Sequence, residues 1–222
     1  MDDPALPPDE HRRALAGLAR LNALSGSVGV LWPAVRKLGR ELGRPLRILD
    51  VATGGGDVPL GLWRRAERAG MKLELVACDI SPVALGAAQA RTEAAGATVR
   101  YFAADALAEP LPTGFDIVTC SLFLHHLSGD SAVTLLARLA AATERLVLVN
   151  DLARGRWNSG LVWCAARLVT RSRVVRTDGP LSVRAAFTPA EARELARRAG
   201  LVGAEVSGRF PCRWLLSWRK PA

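Results

Sequence analysis

The stretch "ILDVATGGGDVPLGL", residues 48–62, decides the fold that the sequence predicts. Apolar residues and Asp50 come first, as in a buried strand, and the consecutive glycines at 54–56 separate them from a helical pattern. Glycine lets the backbone take positive φ and approach a ligand closely, and the N–H groups at a helix N-terminus face that ligand. The stretch therefore predicts a strand, a ligand-binding turn and a helix, which together open an α/β sheet.

Short apolar runs alternate with helical patterns after this unit, which indicates a parallel sheet covered by helices. We expect strands at 46–51, 73–79, 98–103, 115–121 and 145–150. We expect helices at about 57–69, 82–95 and 130–142. The two closing apolar segments, "LVGAEVSG" and "RFPCRWLLSWRK", predict an antiparallel hairpin. The predicted fold class is α/β and Rossmann-like, with a seven-stranded, mostly parallel sheet and helices on both faces.

Two helix starts carry clear local signals. Ser81 precedes Pro82, a residue suited to the first helical position, so that Ser81 is expected to cap the helix that follows. In "FTPAEARELARRAG", Thr188 and Glu191 have the spacing of a capping box, and Gly200 is expected to end that helix.

The length of 222 residues fits a single domain. We divide it into an N-terminal helical cap (1–45), a cofactor-binding half (46–151), an insertion on the substrate side (152–187) and a capped helix with a terminal hairpin (188–222). Bulky apolar residues in the insertion have helical spacing, which favours an aromatic or lipid-like substrate or else ordinary core packing. These residues are Trp157, Leu161, Val162, Trp163, Leu168 and Val169.

The formal net charge is +9, with 30 Lys and Arg against 21 Asp and Glu. A basic surface attracts nucleic acid, anionic lipid or acidic substrates without choosing among them. Arg171, Arg173 and Arg176 form the tightest cluster, as solvated loop residues or as a site that steers an anionic acceptor or contacts a membrane surface.

Four separated cysteines, Cys78, Cys120, Cys164 and Cys212, lack the spacing of a zinc site, so that no metal is expected. They are interpreted as small buried residues in a reducing compartment. The N-terminus has acids and prolines where a secretory signal has basic and apolar residues, and the longest apolar run is too short to span a membrane. We therefore expect a cytoplasmic protein.

Acidic side chains follow three successive predicted strands. Asp50 and Asp57 flank the glycine turn, Asp79 ends the second strand and Asp105 follows the third. At these places carboxylates can accept hydrogen bonds from ribose hydroxyls and an adenine amine and can attract a cationic amino group. Pro59, at the third glycine position of the dinucleotide fingerprint, disfavours NAD, and a P-loop is excluded because no Gly-Lys-Ser/Thr follows.

On these residues the sequence resembles the class I S-adenosylmethionine-dependent methyltransferases over about residues 46–220. The motifs are the glycine turn, the acid after the second strand, "AADA", "FDIVTCSLFLHHL" and the terminal hairpin. The wording "LDVATGGGD" is most similar to the ubiquinone and menaquinone C-methyltransferase branch. The resemblance implies S-adenosylmethionine as cofactor and a small phenol, quinol or lipid-like acceptor, methylated on oxygen or carbon.

The resemblance also implies a set of cofactor-binding residues. Those near the methionine portion and the reacting methyl are Asp50, Ala52, Thr53, Gly54, Gly56, Asp57 and Ser121. Those near the ribose and adenine are Asp79, Ile80, Asp105 and Ala106.

The pair His125 and His126 follows the fourth predicted strand. An imidazole titrates near neutral pH, so that either residue is a candidate general base, with simple packing as the alternative. An RNA or protein methyltransferase and a non-catalytic, cofactor-binding partner subunit remain alternative functions. The fourth-strand motif "CSLF" lacks the Asn/Asp-Pro-Pro-aromatic form used on base amines, so we expect no nucleic-acid partner. The oligomeric state is left open.

Overall fold

A computed structural model describes residues 26–155, 158, 160 and 181–221. The apolar residues predicted for the insertion, Cys164 and the cluster Arg171, Arg173 and Arg176 lie outside these residues. Among the helices of the described part, none is both long enough and apolar enough to cross a membrane.

Seven strands form one sheet in the order β3-β2-β1-β4-β5-β7-β6. Their bounds are β1 Leu46–Val51, β2 Leu73–Asp79, β3 Val99–Ala103, β4 Phe115–Ser121, β5 Thr143–Leu152, β6 Glu205–Arg209 and β7 Arg213–Arg219. The first five strands pair in parallel, whereas β7 is antiparallel to both β5 and β6. The predicted fold class and terminal hairpin are confirmed.

The helices lie where the periodicity predicts them. Their bounds are α1 Ser27–Leu42, α2 Asp57–Arg68, α3 Pro82–Ala94, α4 Gly129–Ala142 and α5 Pro189–Arg198. The Ser81 hydroxyl accepts a hydrogen bond from the backbone N–H of Ala84, and Thr188 and Glu191 form both bonds of a capping box. Both predicted caps are therefore confirmed.

Two apolar clusters hold helices on opposite faces of the sheet. On one face, Leu31 and Val35 of α1 lie against Ile48, Ile117 and Leu148 of the central strands. On the other face, residues of α4 and α5 pack on alternate residues of the same strands and on β7. These core side chains are almost fully buried. The sheet is thus the middle layer of three.

The strand ends that carry the predicted site residues lie at one edge of the sheet. Strands β1, β2, β4 and β5 are parallel, so that their carboxyl ends lie at the same edge. Strand β7 runs antiparallel to β5, with Arg213 opposite Leu152, and it therefore begins at that edge. Ligands of open α/β sheets bind outside this edge. We call it the carboxyl edge.

Candidate functional site

The glycine turn contains two glycines with different roles. Gly54 has φ +53°, and a Cβ added to it would meet no described atom within 4 Å. Gly56 has φ +73°, and a Cβ there would lie 2.9 Å from Cβ of Ala88 in α3. Gly56 therefore permits α3 to approach the start of α2, whereas Gly54 leaves its backbone open to a ligand. Ala52 also has positive φ, +55°, a backbone conformation that glycine adopts most readily.

Asp79 joins the end of β2 to the glycine turn. Its Oδ2 accepts a hydrogen bond of 2.8 Å from the backbone N–H of Gly54, and its Oδ1 accepts one of 2.9 Å from that of Ser81. Each carboxylate oxygen has a second lone pair, so that the group can also accept bonds from two hydroxyls. The neighbouring Ile80 is 67% exposed, a large apolar side chain at the carboxyl edge suited to covering a flat ring.

Asp50 lies beneath the turn, where it is almost completely buried. It accepts hydrogen bonds from the hydroxyls of Thr53 at 2.7 Å and Thr119 at 2.6 Å. Burial raises the pKa of Asp50 to about 6, although the two hydroxyl donors act in the opposite direction. The site thus holds an acid that changes charge in mildly acidic solution, and Thr53 and Thr119 support it.

Asp57 has a partner that the sequence did not reveal. Nη1 of Arg91 lies 2.6 Å from Oδ1 of Asp57 and donates to the carbonyl of Gly55 at 2.6 Å. Arg91 projects from α3, so that this helix holds the glycine turn from one side. No local pattern marks Arg91, because its role depends on how α3 packs on the turn.

Asp105 and Ala106 follow β3 in a tight turn. Oδ1 of Asp105 accepts bonds from the backbone N–H groups of Leu107 at 2.8 Å and Ala108 at 3.3 Å. Ala106 is 9% exposed and joins the apolar cluster under α4. Asp105 therefore orders the loop at the position where the adenine edge is expected.

Ser121 and Asn150 lie side by side at the carboxyl ends of β4 and β5. The Ser121 hydroxyl is buried without a hydrogen-bond partner among the described residues, and neither amide atom of Asn150 has one there. Asn150 is 0% exposed. Buried polar groups are nearly always bonded, so that these atoms indicate a place for a ligand or water. Sequence reasoning found Ser121 but missed Asn150, which also is a polar residue at the end of an apolar strand.

His125 and Asp151 form a buried pair on the other face of the sheet, since Asp151 directly follows Asn150 in β5 and successive strand residues point to opposite sides. Nδ1 of His125 is 2.6 Å from Oδ1 of Asp151, and the backbone N–H of His125 donates to Oδ2 at 3.0 Å. His126 is exposed, and its ring lies 4.1 Å from that of His125 between centroids. The structure therefore gives the two adjacent histidines different environments. Asp151 also comes after an apolar run, Leu146–Val149, which is the signal that would have found it.

A buried cation completes the carboxyl edge. Arg213, the first residue of β7, is 4% exposed. Burial lowers its pKa to about 10, while the charge of Asp151 acts in the opposite direction. No local sequence pattern distinguishes Arg213 from the other arginines of this basic chain. Within residues 26–155 and 181–221 no group of three His, Cys, Asp or Glu could hold a metal ion.

The chain matches known methyltransferases in sequence. A family model described as a methyltransferase domain covers residues 48–145. The demethylmenaquinone methyltransferase of a Thermus thermophilus strain is 40% identical over 121 residues, 54% of this chain and 53% of that protein. The ubiquinone biosynthesis O-methyltransferase of Paraburkholderia phymatum is 28% identical over 164 residues, 73% of this chain and 67% of that protein. The chain thus spans about half the length of the first relative.

The fold is also that of a solved methyltransferase. Magnesium protoporphyrin IX methyltransferase from Synechocystis PCC 6803, with bound S-adenosylmethionine, superposes with a TM-score of 0.60 and 16% identity. The match covers 99% of this chain and 100% of that one. The sequence matches and the sheet order together support a class I S-adenosylmethionine-dependent methyltransferase near the menaquinone and ubiquinone branch.

Proposed function

We propose that the protein transfers the methyl group of S-adenosylmethionine to an oxygen or carbon of a small phenol or quinol. The observation that carries the proposal is the buried His125–Asp151 pair at the carboxyl edge, the same edge that holds the buried polar groups of Ser121 and Asn150. Such a pair supplies a base at the edge where ligands of open α/β sheets bind. The quinone-related names of the curated relatives support this acceptor class.

The residues at the glycine turn fit S-adenosylmethionine. Gly54 leaves open space at its backbone, Asp79 keeps lone pairs for ribose hydroxyls and Ile80 offers an exposed apolar side chain for the adenine. Asp105 and Ala106 border the adenine edge. In this proposal the methionine portion is held by Ala52, Thr53, Gly54 and Gly56, its amino group lies nearest Asp50 and Asp57, and Ser121 borders the methyl. When bound, the cofactor supplies an electrophilic methyl on a sulfonium.

His125 serves as the general base of the proposed reaction. Asp151 accepts the hydrogen bond from Nδ1–H, which fixes the neutral tautomer that carries its lone pair on Nε2. Nε2 would take the proton of the acceptor hydroxyl as the new bond to the methyl forms and the methyl–sulfur bond breaks, which would leave S-adenosylhomocysteine. His126 is the alternative base, but its ring is exposed to solvent, whereas that of His125 is buried and oriented by a carboxylate.

The acceptor pocket is completed by residues outside the cofactor half. We propose one domain in which the insertion 152–187 and the N-terminal cap 1–45 cover the acceptor, because loops at strand ends determine specificity while the sheet holds the cofactor. The cluster Arg171, Arg173 and Arg176 belongs to this insertion and can steer an acidic acceptor.

Calorimetric titration with S-adenosylmethionine, S-adenosylhomocysteine and NADH tests the cofactor. We expect binding of the first two and none of NADH. Incubation with radiolabelled S-adenosylmethionine and a panel of phenols, quinols and an unmodified RNA then tests the acceptor. Label on a phenol or quinol supports the proposal. Absence of binding by both S-adenosyl compounds, or label on RNA alone, overturns it.

A further inference from the structure

Three polar residues form a row along the carboxyl edge, from the middle of the sheet towards β7. Ser121 and Asn150 are register partners on β4 and β5, and Arg213 follows on β7, opposite Leu152. Residues Asn150, Leu152, Arg213 and Leu215 share one face, because alternate residues of a strand point to the same side. We call Ser121, Asn150 and Arg213 the acceptor strip.

The strip lies on the face of the sheet that also carries Asp50. Asp50 pairs with Thr119 in the register of β1 and β4, and their side chains touch at 2.6 Å. Ser121 is two residues after Thr119 and thus points to the same side. The strip therefore begins next to the cofactor-binding turn and leads away from it towards β7.

Asn150 is the residue whose chemistry requires a further partner. Its side chain is completely buried, yet neither the amide nitrogen nor the amide oxygen has a hydrogen bond to an atom of the described residues. The same is true of the neighbouring Ser121 hydroxyl. Two adjacent unbonded polar groups at the edge where ligands bind constitute a site that a ligand oxygen can satisfy.

Arg213 determines which kind of oxygen suits this site. It is the diagonal neighbour of Asn150 across β5 and β7, at a Cα distance of about 7 Å in such a pair. Its guanidinium carries a charge in a position that is only 4% exposed to water. A desolvated cation beside an amide donor favours an oxygen with negative charge over a neutral hydroxyl.

We propose that the acceptor strip binds a negatively charged oxygen on the methyl acceptor, a carboxylate or an ionised phenol, at a position other than the one methylated. The inference rests on the proposed function, because it names the chemistry of the acceptor at that site. Asn150 donates its amide N–H to the anionic oxygen, and Arg213 compensates its charge.

Three catechols that differ in charge test the inference at pH 7. Catechol is neutral, 3,4-dihydroxybenzoate adds a carboxylate, and 4-nitrocatechol carries an ionised phenol. Their dissociation constants are measured calorimetrically on the full chain saturated with S-adenosylhomocysteine. We expect at least one anionic compound to bind tenfold or more tightly than catechol, and the preferred compound distinguishes a carboxylate from a phenolate. Equal affinities for all three, or binding of none, overturn the inference.

Two variants test whether the acceptor strip causes the preference for anionic compounds. Asn150→Leu and Arg213→Gln should reduce the preference for the anionic compound to threefold or less. Arg219→Gln is the matched control, because it removes the same charge from the opposite end of β7, where Arg219 is exposed and paired with Glu41. A preference that persists in Asn150→Leu, or that falls equally in Arg219→Gln, contradicts the proposal.

The two proposals fail in different ways. Thermal unfolding identifies an Arg213→Gln protein that does not fold, in which case Asn150→Leu and the wild-type comparison decide. Methyl transfer to catechol without a preference for anions overturns the inference and leaves the proposed function standing. If the protein binds neither S-adenosyl compound, the same titrations are made without S-adenosylhomocysteine, and a preference for anions then overturns the proposed function alone.

Discussion

Nδ1 of His125 lies 2.6 Å from Oδ1 of Asp151, while the other oxygen of the same carboxylate accepts the backbone N–H of His125. The carboxylate thus fixes both the ring and the main chain of one residue. Asp151 is 1% exposed, so that solvent competes little for these bonds. His126, the next residue along the chain, is exposed. The adjacent residues His125 and His126 therefore differ in how well their rings are positioned to act as a base.

Replacement of the two histidines separately tests the assignment of the base. We expect His125→Ala to lower kcat by about 10² to 10⁴, the usual contribution of a general base, with unchanged affinity for S-adenosylhomocysteine. His126→Ala is the matched control and should keep kcat within about threefold, since kcat changes of that size lie well below the contribution of a base. Equal losses in the two variants, or none, would contradict the assignment. The assay is single-turnover methyl transfer to a phenol.

Asp151 acts through His125 and is a positioning residue. Asp151→Asn keeps an oxygen that can accept the Nδ1–H bond but removes the charge, and we expect kcat to fall by about 10- to 100-fold, in the range found for supporting residues of other sites. KM for the acceptor should change little. A purely structural role predicts instead a loss of thermal stability with no separation of kcat from KM. Asp151→Glu, with its charge retained, should recover part of the lost rate.

The raised pKa of Asp50 predicts a pH-dependent cost to stability. An aspartate in the unfolded chain has a pKa of about 3.9, whereas burial raises that of Asp50 to about 6. Between pH 4 and 6 the folded state binds more protons than the unfolded chain, so that this group lowers the free energy of unfolding as pH rises. Above pH 6 the cost is constant, on the order of 3 kcal/mol.

Asp50→Asn should remove that cost. One of the two threonine hydroxyls that donate to Asp50 can keep donating to the amide oxygen, while the other turns and accepts from the amide nitrogen, so that both hydrogen bonds survive. We expect the variant to match the wild type at pH 4 and to gain about 1 to 3 kcal/mol at pH 7, measured by urea denaturation. A difference that does not depend on pH would refute the explanation by burial of charge.

The carboxylate of Asp79 accepts two backbone hydrogen bonds and is proposed to bind the ribose, and a single substitution tests both roles. Asp79→Asn should weaken binding of S-adenosylhomocysteine by about 10- to 100-fold, because the amide cannot accept on both sides and the bond from Gly54 or Ser81 is lost. Glu109→Gln, an exposed acid on the loop after β3, is the control and should bind normally. The hypothesis fails if calorimetry finds both variants equal to the wild type.

The capping box of α5 gives a prediction for stability alone. Thr188→Ala removes the hydroxyl that accepts the N–H of Glu191, and such losses usually cost about 1 kcal/mol. Thr134→Ala, on an exposed face inside α4, should change stability by less than about 0.5 kcal/mol, as surface substitutions usually do. Chemical denaturation of both variants compares the two effects. Similar losses at the two threonines would show that the cap adds nothing.

The sequence predicts the sheet because its strands are apolar runs with polar residues directly after them. The same rule placed Asp79, Asp105 and Ser121 at the carboxyl edge. It applies equally to Asn150 and Asp151, which were missed because the end of "LVLVND" was interpreted only as a strand boundary.

Arg91 and Arg213 could not be found in this way. Arg91 reaches the glycine turn only because α3 packs on it, and Arg213 reaches the carboxyl edge only because β7 runs antiparallel to β5. Each role depends on contacts between segments distant in sequence. In a chain with 30 Lys and Arg, neither residue carries a local signal.

The packing of α1 on the sheet means that the segment matched by the family model is not a complete folding unit. The family match covers residues 48–145, but Leu31 and Val35 of α1 fill the face beneath Ile48, and Leu215 of β7 completes the same cluster. A protein trimmed to the matched segment would expose this apolar face and, because most of β5 lies beyond residue 145, the unpaired edge of β4. Anyone who transplants the cofactor-binding half into another protein must therefore carry both flanks with it.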